Sequence, residues 1–329
     1  MSEPTAEIEA ALPIIDFSGL DDDENGTKWQ EIAREISIAT TNDGFFYIRG
    51  HGIAEQTIET LRASARKFFA QSAAEKKSIA INQFNRGYLG SGEARMYGAT
   101  RTDQKEVFFW GPDLPDDDPD LVAGIPLCGP NRWPDAPDGF RDHVVDYAAG
   151  VQRIGERVLT AVALSLGMGP QFFTPFYERP MLRGQLIHYP PQTEDTPDDQ
   201  FGVASHTDFG CITLLLQETP GLEVLSRKGN WIAAPPIPGT LIINIGDLLQ
   251  RWTNNRLPSN SHRVRNTTGA GRYSIAMFFD PSPGAIVDPK DMADIETPDF
   301  EPISASDYII GRNQGAFAHY NPAITAEEP

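Results

Sequence analysis

Two histidines and one aspartate carry the most chemistry in this sequence. His206 and Asp208 stand two positions apart in Ser205-His206-Thr207-Asp208-Phe209-Gly210, and His262 follows in Ser261-His262-Arg263-Val264-Arg265. In a strand, residues i and i+2 face one side, so both side chains of the first pair can reach one ion. His262 would complete the set from a neighbouring strand. Two imidazoles and a carboxylate on one face of an octahedron leave three positions open, the arrangement of a non-haem Fe(II) oxygenase. An H-x-D pair alone is common on exposed strands, but a second pattern adds weight. Arg272 and Ser274, again i and i+2, open the apolar run Ile275-Ala276-Met277-Phe278-Phe279. An arginine facing the interior of a sheet is costly unless it meets an anion, and its planar fork suits a carboxylate.

Taken together, His206, Asp208, His262, Arg272 and Ser274 resemble the H-x-D…H…R-x-S pattern of the iron- and 2-oxoglutarate-dependent oxygenases of the isopenicillin N synthase-like family. The surroundings are similar too: Cys211-Ile212-Thr213-Leu214-Leu215-Leu216-Gln217 after the first two residues, and Asn244-Ile245-Gly246-Asp247 before the third. Leu186-Ile187-His188-Tyr189-Pro190-Pro191 resembles the family's strand carrying a tyrosine near the co-substrate. The likeness runs from about Leu12 to Phe279. It implies a double-stranded β-helix (jelly-roll, cupin-like) core with flanking α-helices and an N-terminal α/β extension. It also implies Fe(II) on His206, Asp208 and His262, with 2-oxoglutarate and O2 as co-substrates. The far carboxylate of 2-oxoglutarate would sit on Arg272 and Ser274, assisted by Tyr189. The expected reaction is oxidation of a small-molecule metabolite (hydroxylation, desaturation or cyclisation) with release of succinate and CO2. Two other readings stay open. The isopenicillin N synthase and aminocyclopropane carboxylate oxidase branches keep R-x-S without using 2-oxoglutarate, and a non-catalytic binding module could inherit the barrel. Loss of a ligand would mark the latter, and none is missing. A zinc hydrolase lacks an obvious general base beside the triad.

The stretch from Phe84 to Trp110 is similar to the segment that crosses the pocket mouth in this family. Arg86, Arg95 and Arg101 are therefore candidates for an anionic substrate, with ordinary surface charge as the alternative. Tyr97, Phe108 and Phe109, and Phe279 at the end of the R-x-S run, are candidates for pocket lining, with aromatic core as the alternative. His51 reads as structural in a glycine-bounded turn, His143 as a surface residue of a long helix, and His319 as solvent-facing on a final helix over 303–320.

These residues need elements to hold them. Leu12 to Phe17 reads as an entering strand. From Lys28 to Asn42, Trp29, Ile32, Ala33, Ile36 and Ala39 recur at helical spacing. A buried strand follows at Gly44 to Ile48, then helices from Glu55 to Ala70 and from Ala73. Gly111 to Gly139 is a long loop without period, and Phe140 to Leu166 is the longest helix. Six short runs punctuated by Gly, Pro and Asn predict the jelly roll: Gln185–Tyr189, Cys211–Gln217, Leu222–Leu225, Leu241–Ile245, Ser261–Arg265 and Tyr273–Phe279. The acidic loop from Thr193 to Gln200 is placed to act as a gate. The expected organisation is an N-terminal region over 1–125, a loop and supporting helix over 126–180, the catalytic core over 181–285, and a C-terminal segment over 286–329 that packs on it.

Composition narrows the partners. The 329 residues carry a formal charge of −19, a surface that repels nucleic-acid phosphates and anionic membranes. The expected partner is a small molecule, with no nucleic acid and no membrane. Cys128 and Cys211 are too few for a disulfide framework and form no CxxC pair; Cys211 reads as a buried thiol. No GxGxxG or P-loop is present. The N-terminus lacks a signal-peptide pattern and no apolar run approaches a membrane span, so a cytoplasmic protein is expected. Oligomeric state is not legible.

Overall fold

The structure, a computed structural model, describes residues 12–320 apart from Asp21, Asp22, Glu24, Asn25, Tyr97, Thr193, Glu194, Asp195, Asp198, Thr267, Ala293 and Ala318. In chain order the N-terminal elements are β1 (Ile14–Asp16), α1 (Thr27–Asn42), β2 (Phe45–Arg49), α2 (Glu55–Phe69), α3 (Ala73–Ser78), β3 (Gly87–Leu89), β4 (Glu106–Trp110), α4 (Pro119–Val122) and α5 (Phe140–Ser165). There follow β5 (Met181–Tyr189), β6 (Val203–His206), β7 (Ile212–Gln217), β8 (Leu222–Leu225), β9 (Trp231–Ala233), β10 (Thr240–Ile245) and α6 (Asp247–Trp252). Last come β11 (His262–Val264), β12 (Arg272–Asp280), β13 (Ile286–Val287), β14 (Ile303–Ser304) and α7 (Ala305–Gln314).

The strands form an eight-stranded sheet, ordered β1-β2-β10-β7-β12-β5-β4-β3, and a four-stranded sheet, ordered β6-β11-β8-β9. This is the expected double-stranded β-helix with flanking helices. The N-terminal strands β1 to β4 are part of the large sheet and supply both of its ends. Because side chains alternate along a strand, the large sheet feeds two separate cores. Its outer face packs on α1, α2 and α5, as the 3.6-residue spacing of Ile32, Ile36 and Ala39 requires. Its inner face meets the small sheet around Phe109, Ile187, Leu222 and Val224. On β12 the outward set is Ile275, Met277 and Phe279; the inward set is Arg272, Ser274, Ala276 and Phe278. α5 lies directly on the sheet at Gly155, where a Cβ would come within 2.6 Å of the Phe279 ring.

Elements and expectations differ in a few places. The final helix stops at Gln314, and the chain continues as a segment bridged to Ala94 through Phe317. The loop from Gly111 to Gly139 contains α4, capped by Asp118. His143 is not a bare surface residue: its Nδ1 lies 2.7 Å from Ser64 Oγ on α2. His51 is buried, with its Nδ1 accepting from the Ile53 amide, as a turn residue should. Four residues of the acidic stretch read as a gate lie outside the described residues. Among the described residues no helix is long and apolar enough to cross a membrane.

A buried ionic knot ties the outer face of β4 to α3 and β5. Glu106 accepts from Lys76 Nζ (2.6 Å), Tyr88 Oη (2.6 Å) and His188 Nδ1 (2.7 Å). Burial alone would raise the Glu106 carboxyl, but the three hydrogen bonds and the Lys76 charge bring it down to about 2. A carboxyl depressed in the folded state stabilises the protein above its ordinary value near 4.5, and that contribution is lost as pH falls toward 2. Glu106→Gln should therefore flatten the decline of the urea midpoint across that window. Glu106→Ala, which leaves Lys76 buried without its partner, should cost on the order of 3–5 kcal/mol. An unchanged urea midpoint in the alanine variant would contradict this account.

Candidate active site

β6 and β11 run antiparallel with His206 directly opposite His262, so their imidazoles meet, ring centroids 4.2 Å apart. Asp208 arrives differently from what its spacing suggested. β6 ends at His206, and Asp208 lies in the turn beyond it, where strand alternation no longer aims side chains. The turn is pinned instead. The amides of Asp247 and Leu248 at the start of α6 donate to the carbonyls of Asp208 (2.7 Å) and Gly210 (3.0 Å). The Cys211 amide donates to Asp280 Oδ1 (2.7 Å), whose other oxygen takes Arg183 Nη2 at 2.6 Å. The approach is close enough to require glycine: a Cβ on Gly210 would fall 1.9 Å from Asp280 Oδ1, and one on Gly246 2.2 Å from the Gly210 carbonyl. Asp247 closes the clamp, accepting from Thr207 Oγ1 (3.0 Å) and pairing with Arg312 of α7 (2.7 Å).

The ligand atoms of His206, Asp208 and His262 lie within 4.8 Å of one another. Asp208 Oδ1 is 3.7 Å from His206 Nε2 and 3.6 Å from His262 Nε2. Its Oδ2 accepts from Thr213 Oγ1 (2.5 Å) and Asn244 Nδ2 (2.8 Å). His206 Nδ1 donates to the Ala204 carbonyl (2.8 Å), which leaves Nε2 as the free lone pair. Burial first, and then the neighbouring His262, push His206 down to about 3, so this imidazole is neutral at neutral pH and a metal need not displace a proton. For Asp208, burial pulls upward but is outweighed by the two imidazoles and the Thr213 and Asn244 hydrogen bonds; its carboxyl stays below the ordinary range. Three neutral-or-anionic donors on one side, with open space opposite, fit a divalent ion that needs free positions.

That open space divides into two chambers sharing Lys105, Gln185, His206, Asp208 and Phe278. Arg272 closes one of them. It is fully buried, and no carboxylate among the described residues pairs with it. Nη2 donates to Gln217 Oε1 (3.0 Å), Nη1 to Ser274 Oγ at a long 3.4 Å, and Nε has no partner. Gln217 is itself oriented by donating Nε2 to the Ala234 carbonyl (2.6 Å). Tyr189, paired with Arg272 across β5 and β12, places its ring 4.7 Å from the guanidinium. Burial lowers the arginine's affinity for its proton, Tyr189 opposing. A buried guanidinium satisfied only by neutral acceptors is costly; a carboxylate entering this chamber would remove the cost. The residues present therefore fit a keto acid whose far carboxylate reaches Arg272.

The second chamber opens on the other side of the triad. Phe109, Phe278 and Phe317 line it, with Asn85 and Asn313. Sequence reasoning placed several substrate candidates here, and the structure puts most elsewhere. Phe108 points outward against Phe68 and Phe140, while its neighbour Phe109 faces in. Phe279 likewise packs outward on Tyr177, while its neighbour Phe278 is among the residues that line both chambers. Arg86 is buried and spends its guanidinium on the carbonyls of Phe84, Asn85 and Leu127. Arg101 pairs with Asp199 at the surface. Arg95 lines neither chamber, and Tyr97 lies outside the described residues. His319, expected on a solvent-facing helix, is half-buried, with Nε2 2.6 Å from Asn85 Oδ1. Lys105, Gln185, Asn85, Asn313 and Phe317 were not singled out from sequence. Only Phe278 carried a signal, since it shares the parity of Arg272 and Ser274.

Residues 181–281 match the family model described as the 2OG-Fe(II) oxygenase superfamily, and residues 12–136 match the non-haem dioxygenase in morphine synthesis N-terminal model. The 2-oxoglutarate-Fe(II) type oxidoreductase hxnY of Emericella nidulans is 35% identical over 311 residues, covering 92% of this chain and 89% of that protein. A putative 2OG-Fe(II) oxygenase family protein from Caulobacter crescentus superposes with TM-score 0.80 at 31% identity, over 93% of this chain and 99% of the other. A full-length Neurospora crassa protein in complex with alpha-KG and thymine gives TM-score 0.80 at 27% identity, over 92% and 96% respectively.

Proposed function

Because this chain belongs to the 2OG-Fe(II) oxygenase superfamily, we propose that it oxidises a C–H position of a small organic molecule, with His206, Asp208 and His262 as the iron ligands and Arg272 as the anchor of 2-oxoglutarate. The enzyme is a non-haem Fe(II)- and 2-oxoglutarate-dependent dioxygenase, and its co-substrates are 2-oxoglutarate and O2. The observation that carries the residue assignment is Arg272: a fully buried guanidinium with no carboxylate among the described residues, at the end of a chamber whose other end is the triad. Ser274 keeps its hydroxyl proton available, since its oxygen accepts from Arg272. Tyr189 lies against the guanidinium, its ring 4.7 Å from it. The complex of the Neurospora crassa protein with thymine supports a small-molecule substrate.

Bound Fe(II) supplies the activation of O2, coupled to oxidative decarboxylation of 2-oxoglutarate to succinate and CO2. The chain's own part is placement. Thr213 and Asn244 hold Asp208 with one oxygen directed between the imidazoles, and the Asp247–Asp280 clamp holds the turn that carries it. Phe109, Phe278 and Phe317 wall the substrate side and exclude water. Hydroxylation, desaturation and cyclisation share this machinery, and the position of the substrate C–H bond selects among them. The test is a stoichiometric one: purified protein with Fe(II), 2-oxoglutarate and O2 should release succinate, faster when a true substrate is added. Iron binding without any succinate, with or without candidate substrates, would remove the 2-oxoglutarate assignment of Arg272.

A further inference from the structure

The polar groups of the substrate-side chamber fall into two kinds. Its cations are already matched: Lys105 Nζ lies 3.0 Å from the buried Asp103 carboxylate, and Arg183 lies 2.6 Å from the buried Asp280. Neither pair offers an uncompensated charge, in contrast to Arg272 in the neighbouring chamber. The unmatched groups are neutral. Asn313, at the end of α7, is 0% exposed; its amide oxygen has no hydrogen-bond partner among the described residues, and its amide nitrogen makes no well-formed hydrogen bond, its one polar neighbour being the Tyr320 hydroxyl. That hydroxyl gives its own proton to the Gln83 carbonyl (3.3 Å), so it can only accept from the Asn313 amide, which leaves the amide oxygen and the second amide proton unmatched. Asn85 is held in one orientation. Its Oδ1 accepts from His319 Nε2 (2.6 Å), which leaves its Nδ2 group as donor. Its backbone, at φ 58°, is braced by Arg86 Nη1 on its carbonyl (3.1 Å). Arg86 thus positions Asn85 rather than meeting substrate.

From this contrast we infer that the chamber receives an uncharged planar ring bearing a cyclic-amide edge, an N–H beside a C=O. This inference rests on the reading of this chamber as the substrate side and deepens it. The amide edge offers one donor and one acceptor, the complement of the Asn313 carboxamide, with Asn85 supplying a further donor. The ring faces pack on Phe109, Phe278 and Phe317. A hydrocarbon would leave the Asn313 amide unsatisfied, and a carboxylate would find no free cation and meet the Asn313 oxygen.

The test is calorimetric titration of the full chain loaded with Mn(II) and 2-oxoglutarate, using 2-pyridone and uracil as cyclic amides against N-methyl-2-pyridone, benzoate and toluene. The cyclic amides should bind at least about tenfold tighter than the three comparators, a margin consistent with leaving buried polar groups unpaired. Asn313→Leu should erase that preference while the melting temperature of the unliganded protein stays level or rises, because an unmatched amide gives way to an apolar group of similar volume. Equal affinities, tighter binding of benzoate, or a preference retained in Asn313→Leu would overturn the inference. A clear fall in melting temperature would also overturn it, marking Asn313 as structural. Binding of 2-oxoglutarate itself is read in the same experiment. If it fails, the proposed function falls first; if it holds while the amide preference is absent, this inference alone falls.

Discussion

Arg272→Leu is expected to weaken 2-oxoglutarate binding by about 30-fold or more, without destabilising the protein that lacks it. Truncating one partner of a buried, hydrogen-bonded charge pair costs roughly 2–5 kcal/mol, and the lower end of that range already corresponds to about 30-fold. The unliganded protein behaves differently. There Arg272 is a fully buried cation with two neutral acceptors and an unpartnered Nε, and its replacement by an apolar side chain relieves desolvation. The sign of the two effects is therefore opposite, and thermal melts measure both. The wild-type melting temperature should rise with added 2-oxoglutarate, by an amount equivalent to about 2.7 kcal/mol at a hundredfold excess over Kd. In Arg272→Leu the starting temperature should be equal or higher and the rise should vanish. Divalent-metal binding should be intact. A variant that melts lower but still responds to 2-oxoglutarate would show that Arg272 holds the barrel rather than the co-substrate.

Asp208→Ala should have the larger effect on the metal. Its carboxylate is the one anionic group of the triad, and an imidazole pair alone offers no charge to a divalent ion. Removing an outer partner of a metal ligand typically costs 10- to 100-fold in affinity. Thr213→Val, which takes away the 2.5 Å hydrogen bond to Asp208 Oδ2, should fall in that range. Asp208→Ala, which takes away the ligand, should exceed 100-fold and abolish succinate formation. Anaerobic titration with Co(II), followed by its visible absorption, ranks the two variants directly. Equal affinities for wild type and Asp208→Ala would place the metal elsewhere.

Much of the site was legible before any coordinates, for reasons that are local. The residue types at 206, 208 and 262 suit a facial metal site, and an arginine at the start of an apolar run has few reasons to be there except an anion. The helices followed from apolar residues at 3.6-residue spacing and the strands from short runs between Gly and Pro. Part of what went wrong was also local. With Arg272 and Ser274 facing in, the parity of β12 requires Phe278 inside and Phe279 outside. Along β4 the register that sends Glu106 out to Lys76 sends Phe108 out with it and turns Phe109 in. Asp208 comes within reach of both histidines for a reason that strand periodicity does not contain, a turn clamped between Asp280 and the N-terminus of α6.

What the sequence by itself determined is therefore the outline: residue types that suit a facial metal site and a carboxylate receptor, and a double-stranded β-helix to carry them. What only the tertiary structure decided is the chamber proposed for substrate. Asn85 and Phe109 precede the barrel core, Phe278 ends it, and Asn313 and Phe317 follow it, so their meeting depends on how α7 and the segment after it lie across the barrel mouth. No periodicity links positions so far apart. Their relative placement is set by packing, through the bridge of Phe317 to Ala94, the Arg312–Asp247 pair and the His319–Asn85 hydrogen bond. A metal triad can be recognised from residue types because its chemistry allows few alternatives, whereas a cavity is a difference between surfaces and exists only once the chain has folded.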